Sequence, residues 1–231
     1  MKQEGGSRVL EAVVFDFDGV LADTEPLHFS TIRATLEARG VPLSFEEYGE
    51  RYLGYDDAGV FRAVARDRGL AWDAREIDAL VQSKGQIFRR LAAETPVLFA
   101  GVAERLREWS AHVPMGIASG AFRDEIVMVL DSAGLSGMVR TIVGAGETTR
   151  HKPEPEPYLR ALELLGPNLT PGRCVAIEDS PWGITSAREA RMKVVALTTS
   201  CSSDRLFDAH HLVRSFEDLS LDLLNDVAAR S

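Results

Sequence analysis

The chain has 231 residues, which lies between one large domain and two small ones at ~150 residues per domain. Its 45% hydrophobic and 26% charged residues are an ordinary globular make-up, which excludes a disordered tail, a collagen-like rod or a coiled coil as the main body. With 26 Lys and Arg against 35 Asp and Glu the formal charge is −9, which argues against nucleic acid as the main partner yet leaves room for a small phosphorylated ligand in a local positive pocket.

In chain order, the first residues, Met1 to Arg8, carry an acid and no apolar core, so they do not read as a signal peptide. Val13-Val14-Phe15 is a short apolar run that stops at Asp16, the pattern of a strand buried on both faces. From about Pro26 to Glu94 the periodicity is helical, punctuated by Gly40, Gly54 and Gly69. The strongest helix runs from about Ala74 to Ala92, with Ile77, Leu80, Val81, Phe88 and Leu91 on one face. Thr24-Glu25-Pro26 and Thr95-Pro96 bound this stretch. It is either a helical insertion or a set of helices lying on the same sheet as the rest.

Met115 to Ala118 forms a second strand that ends in Ser119-Gly120, ahead of a helix with Ile126, Val129, Leu130 and Ala133 at i, i+3, i+4 and i+7. His151-Lys152-Pro153-Glu154-Pro155 precedes a helix near Tyr158 to Leu165. Val175 to Ile177 is a third strand, ending in Glu178-Asp179, with Ser180 as helix cap and Pro181 as first helical residue. Val194 to Leu197 is a fourth. Such alternation implies an α/β protein with a mostly parallel sheet wrapped by helices. No apolar run is long enough to cross a bilayer. Cys174 opens a buried strand and Cys201 sits in a Ser/Thr-rich loop. Their spacing fits no metal site, and a reducing compartment is expected to leave them unpaired.

Chemistry gathers at the strand ends, where open α/β sheets bind ligands. Asp16-Phe17-Asp18-Gly19 offers two carboxylates and a glycine for a tight turn; one acid can hold a hard cation or act as nucleophile while its neighbour moves a proton. Ser119-Gly120 offers a hydroxyl and backbone N–H groups suited to an anion, or simply to a helix cap. Lys152 is held in a proline-stiffened loop. Glu178 and Asp179 repel each other at a buried strand end unless a cation is near, and Mg2+ suits such a site, with a few carboxylates, water and phosphate oxygens.

With these four segments in this order, the sequence resembles the haloacid dehalogenase-like hydrolase superfamily from Val9 to about Leu197, in its phosphoglycolate phosphatase and β-phosphoglucomutase branch. Asp16-x-Asp18-Gly19-Val20, Ser119, Lys152 and Glu178-Asp179 match the four motifs. The resemblance implies a Rossmann-like, doubly wound core of residues 1–24 and 96–231, with a helical cap of residues 25–95 inserted after the first motif. It also implies roles. Asp16 attacks phosphorus and forms an aspartyl-phosphate; Asp18 protonates the leaving oxygen and then activates water. Ser119, Gly120 and Lys152 hold the phosphoryl oxygens, while Asp16, Asp18 through its carbonyl, Glu178 and Asp179 build the Mg2+ site.

In this branch the cap chooses the substrate. Thr24 and His28 match positions that link hinge and cap to the catalytic acid, although His28, four residues before Ile32, equally fits a structural histidine. Lys84 falls on the apolar stripe of the strongest helix. It either snorkels to solvent or faces the cleft to hold a distal phosphate. Arg51 to Tyr55, with Gly54, resembles the specificity loop, and Arg51 or Arg62 could supply a cation there. Asp56-Asp57 stands where a phosphate-gripping arginine is expected, and an acidic pair disfavours a second phosphate; His151 replaces a small residue beside the lysine. The expectation is a cytoplasmic, Mg2+-dependent phosphatase of a small phosphorylated metabolite, a monomer by default, with no nucleic-acid or membrane partner. A sugar phosphomutase and a non-catalytic binding protein are the alternatives.

Overall fold

The computed structural model describes residues 9–53, 55–94 and 96–230. The N-terminal eight residues, Gly54 of the expected specificity loop and Thr95 of the expected boundary lie outside them. In chain order the elements are β1 (Ala12–Phe15), α1 (Glu25–Glu37), α2 (Phe45–Arg51), α3 (Asp57–Arg68), α4 (Ala74–Glu94), α5 (Val102–Ser110), β2 (Met115–Ala118) and α6 (Arg123–Ser132). They continue with β3 (Thr141–Val143), α7 (Glu156–Leu165), β4 (Cys174–Glu178), α8 (Pro181–Glu189), β5 (Lys193–Leu197), β6 (His211–Val213) and α9 (Leu221–Ala228). The chain divides into two compact units, parting between Asp23 and Thr24 and again between Pro96 and Val97.

The larger unit carries a six-stranded sheet in the order β3-β2-β1-β4-β5-β6, every neighbour parallel. Every residue of β1, β2 and β4 is buried, so these strands read as unbroken apolar runs rather than alternating ones. Alternation along β1 still sorts the faces. Ala12 and Val14 join a core with Tyr158, Ala161 and Leu162 of α7 and Ile184 and Ala187 of α8. Phe15 points the other way and stacks on Trp109 of α5, with ring centroids 6.5 Å apart, while Phe216 lies 6.1 Å from Phe15 and 6.0 Å from Trp109. Each such buried ring contributes about 1.5–3 kcal/mol by leaving water. With helices on both faces, the fold is a doubly wound, Rossmann-like α/β sheet.

Two strands of this sheet, β3 and β6, escape the sequence reading because each has only three residues and forms an edge, too short to register as an apolar run. The start of α8 agrees with expectation: Ser180 Oγ accepts from Gly183 N at 3.1 Å with Pro181 opening the helix.

The smaller unit holds α1 to α4 around a core of its own, including Phe29, Ile32, Leu36, Tyr48, Tyr52, Phe61, Val64, Ile77 and Leu80. Its helix starts are written in short polar residues: Ser44 accepts from Glu47 N, Asp56 accepts from Gly59 N, and Asp73 and Glu76 cap each other's backbone N–H. Gly69 closes α3 in the left-handed conformation, φ +64°. No helix among the described residues is long and apolar enough to cross a membrane.

Candidate active site

Strand register builds the site. Phe15 of β1 lies opposite Ile117 of β2 and Ile177 of β4, so Asp16, Ser119, Glu178 and Asp179 all emerge within two residues of one rung, at the carboxyl edge of adjacent strands. Asp16 N still donates to Ile177 O at 2.9 Å, and Asp16 Oδ1 accepts from Phe17 N at 2.7 Å. The chain then turns sharply. Leu21 N and Ala22 N both donate to Phe17 O, and Gly19 N donates to Ala22 O, which needs φ +74° at Gly19. The same glycine admits Asp179: a Cβ at position 19 would lie 1.8 Å from Asp179 Oδ2. Asp18 sits part-buried inside this turn, its backbone bridged to Ala22.

Lys152 reaches in from the loop before α7. Its Nζ lies 3.1 Å from Asp16 Oδ2 and 2.6 Å from Glu178 Oε1, and 5.1 Å from the centre of the Tyr158 ring. Glu178 is fully buried and accepts from five donors: Lys152 Nζ, Tyr158 OH, the backbone N–H groups of Asp179 and Ser180, and Ser180 Oγ. Ser119 is buried; its N donates to Val143 O, and its Oγ accepts from Ala121 N at 3.1 Å, leaving its hydroxyl hydrogen to donate elsewhere. Gly120 is exposed with open space about its Cα, so the anion-site reading there rests on the backbone alone.

Electrostatics mark the same place. Burial, with the carboxylates of Glu178 and Asp18 adding to it and Lys152 opposing, pushes Asp16 up to about 7. Burial, with Asp16 and Glu178 beside it, pushes Asp179 up to about 8. Lys152 goes the other way: burial alone lowers an ammonium, but Asp16 and Glu178 outweigh that and raise it. Carboxylate oxygens of Asp16, Glu178 and Asp179 lie within 4.8 Å of one another. Three acids beside one ammonium cannot all ionise without a further cation, and the donor set is the all-oxygen one a hard divalent cation takes. The residues therefore fit the expected Mg2+. Glu178 belongs to this acid group while also accepting from the five donors above, so its oxygens are the most heavily used of the three.

The expected substrate residues Thr24, His28, Arg51 and Lys84 belong to the smaller unit. Thr24 is buried at the start of α1, where its C=O accepts from His28 N at 2.8 Å. Arg51 is tied to Asp67 at 2.8 Å and to Glu47 at 3.7 Å, in a surface ionic cluster. Lys84 is fully buried and does not run to solvent. Its Nζ lies 2.9 Å from Asp57 Oδ2 and 2.8 Å from His28 Nδ1, over the Phe88 ring. Burial and the Lys84 charge hold His28 neutral, its pKa lowered to about 3. The acidic pair is corrected accordingly. Asp56 caps α3 and Asp57 is neutralised by Lys84, so the two are not the bare repulsive surface that the sequence suggested.

A sequence model of haloacid dehalogenase-like hydrolases matches residues 10–191, most of the chain and all of the acids and the lysine described above. The chain belongs to this family. Protein CbbY of Rhodobacter capsulatus is 33% identical over 194 residues, 80% of this chain and 84% of that protein. A phosphorylated carbohydrates phosphatase of Thermotoga maritima is 31% identical over 183 residues, 78% of this chain and 82% of that one. Among solved structures, CbbY from Rhodobacter sphaeroides in complex with phosphate superposes with a TM-score of 0.80 at 26% identity, covering 91% of this chain and 96% of that one.

Within this haloacid dehalogenase-like chain, sequence reasoning missed three site residues. Tyr158 reads as one more apolar position of α7. Ser200 Oγ lies with Asp179 Oδ2 against Gly19, where the hydroxyl opposes the upward shift of Asp179, and Thr199 Oγ1 donates to Gly19 O, so the loop after β5 pins the Asp16–Asp18 turn. The one signal for that loop was its run of Thr and Ser directly past a buried strand.

Proposed function

We propose that this hydrolase is a Mg2+-dependent phosphatase of small phosphorylated carbohydrates that works through an aspartyl-phosphate on Asp16. The family and its acid set make it a phosphoric monoester hydrolase. The observation that carries the reading is the Lys152 ammonium held 3.1 Å from Asp16 Oδ2, with Asp179 beside it: a nucleophile, a fixed positive charge and a cation-ready acid at one strand edge. The carbohydrate class comes from the named activity of the Thermotoga relative.

In this scheme an ionised Asp16 oxygen attacks phosphorus, and the phosphorus–ester oxygen bond breaks. Asp18 gives its proton to the departing sugar oxygen. A water molecule, deprotonated by Asp18, then attacks the acyl phosphate, releasing inorganic phosphate and restoring the Asp16 carboxylate and the Asp18 carboxylic acid. Lys152 and Ser119 hold the phosphoryl oxygens, whose charge is spread in a loose transition state, so positioning does most of the work. Mg2+, held by Asp16 and Asp179 with Asp18 contributing its carbonyl, would neutralise phosphoryl charge and relieve repulsion between anionic substrate and anionic nucleophile. Glu178 keeps Lys152 in place.

A sugar phosphomutase uses the same core. The pairing of Asp57 with Lys84 favours keeping it as a second reading, because the acidic-loop objection to a bisphosphate falls away. Phosphate release from a panel of phosphorylated carbohydrates, with and without Mg2+ and with glucose 1,6-bisphosphate as additive, separates the readings. Mg2+-dependent release lost in Asp16→Asn is expected. Isomerisation without release, dependent on the bisphosphate, would make the protein a mutase. No turnover of either kind would make it a binding protein.

A further inference from the structure

Tyr158 is fully buried in α7, within the core that α7 shares with β1 and β4. Phenylalanine would fill that space without bringing a hydroxyl that must find a partner. Here the hydroxyl donates at 2.8 Å to Glu178 Oε1, the same oxygen that takes Lys152 Nζ at 2.6 Å, and the ring lies 5.1 Å from that ammonium. A carboxylate oxygen can only accept, so the phenol serves as donor.

Resting on the phosphatase reading above, we infer that Tyr158 is a positioning residue that divides the Lys152 ammonium between Glu178 and Asp16. A buried carboxylate oxygen with one charged donor draws that donor fully to itself. A second donor on the same oxygen weakens the pull, and the ring face attracts the ammonium from a side that competes with neither acid. The ammonium is thereby kept 3.1 Å from Asp16 Oδ2, where the phosphoryl group arrives. Tyr158 touches neither the nucleophile nor the phosphoryl group; it acts through Lys152.

The test is a double-mutant cycle in the full chain, with Tyr158→Phe, Lys152→Met and the pair, read as kcat/KM for p-nitrophenyl phosphate. The 15N resonance of the Lys152 ammonium, assigned by its loss in Lys152→Arg, is monitored in parallel. Tyr158→Phe is expected to lower kcat about tenfold in a protein that still melts cooperatively, and to change kcat/KM less than about twofold once Lys152 is gone. The ammonium resonance shifts and its protons exchange faster. Tyr158→Leu, which also removes the ring, moves the resonance further. Equal losses in both Lys152 backgrounds, or a resonance untouched by either tyrosine variant, overturn the inference. If no chain releases phosphate but the resonance responds as stated, the phosphatase reading falls while the positioning of Lys152 stands.

Discussion

At position 183 an added Cβ would lie 1.7 Å from Glu178 Oε1 and 1.9 Å from its carboxyl carbon. Glu178 cannot swing aside without stranding a buried charge and the donors gathered on it, a loss of about 3 kcal/mol or more. Gly183→Ala is therefore expected to melt about 6–12 °C lower and to lose phosphate release, at 2–4 °C per kcal/mol for a chain of this size. Gly172→Ala, whose Cβ would meet nothing nearer than Arg191 O at 4.0 Å, serves as the control. Equal melting of the two variants would mean that Glu178 is not fixed as described. The acids give a second expectation. Asp16 and Asp179 rise from 3.8 in their ordinary state to about 7 and about 8, so between roughly pH 4 and 8 the folded state binds more protons than the unfolded state. Stability of the cation-free protein from this source is thus present at low pH and falls as pH rises through that window. A cation that binds the ionised pair offsets the loss. Added Mg2+ should raise the melting temperature more at pH 8.5 than at pH 6, and equal shifts at both would deny these acids the cation.

Between helices, one buried ammonium does the joining: Lys84 of α4 meets His28 of α1 and Asp57 at the start of α3. Removing it leaves Asp57, mostly buried, without that countercharge. Lys84→Ala is expected to cost roughly 2–3 kcal/mol in urea unfolding, the lower side of what breaking a buried pair costs because Asp57 keeps some water. Lys84→Met with Asp57→Asn should recover most of that, since it removes both charges. No recovery would place the stabilisation in contacts other than this pair. Lys84 also marks how far the sequence could be read. A charge on the apolar stripe singled it out, but its partner lies on another helix, and neither composition nor periodicity pairs positions across a core. Asp16, Lys152 and Glu178-Asp179 were legible because fully buried strands are unbroken apolar runs, and the residues just past such a run stand at the sheet edge. Tyr158 was not, because an aromatic on the buried face of a helix is ordinary core until its hydroxyl is seen to face Glu178. β3 and β6 failed on length, and Ser200 because a polar loop does not disclose which acid it lies beside.

Across the whole chain, the smaller unit leaves and rejoins the larger one at residues that are already paired. Asp23 N donates to Val97 O at 2.8 Å, Phe99 N donates to Leu21 O at 3.0 Å, and Ala22 forms an antiparallel bridge with Leu98. The segment from 24 to 96 therefore begins and ends at one spot on the larger unit, and a short turn can close the gap it would leave. The contacts that hold the sheet lie outside that segment: all six strands, the Phe15–Trp109–Phe216 stack, and the α7 and α8 side of the core. So do Asp16, Asp18, Ser119, Lys152, Glu178 and Asp179. A chain with residues 24–96 replaced by a four-residue Gly/Asn turn is expected to melt in one cooperative transition and to keep its Mg2+-dependent rise in melting temperature, both read by differential scanning calorimetry. Loss of cooperativity would show that the larger unit borrows its stability from the helices. A cooperative melt that Mg2+ no longer moves would show that the cation site needs residues beyond the strand edge, and would send the search for its remaining ligands into the segment removed.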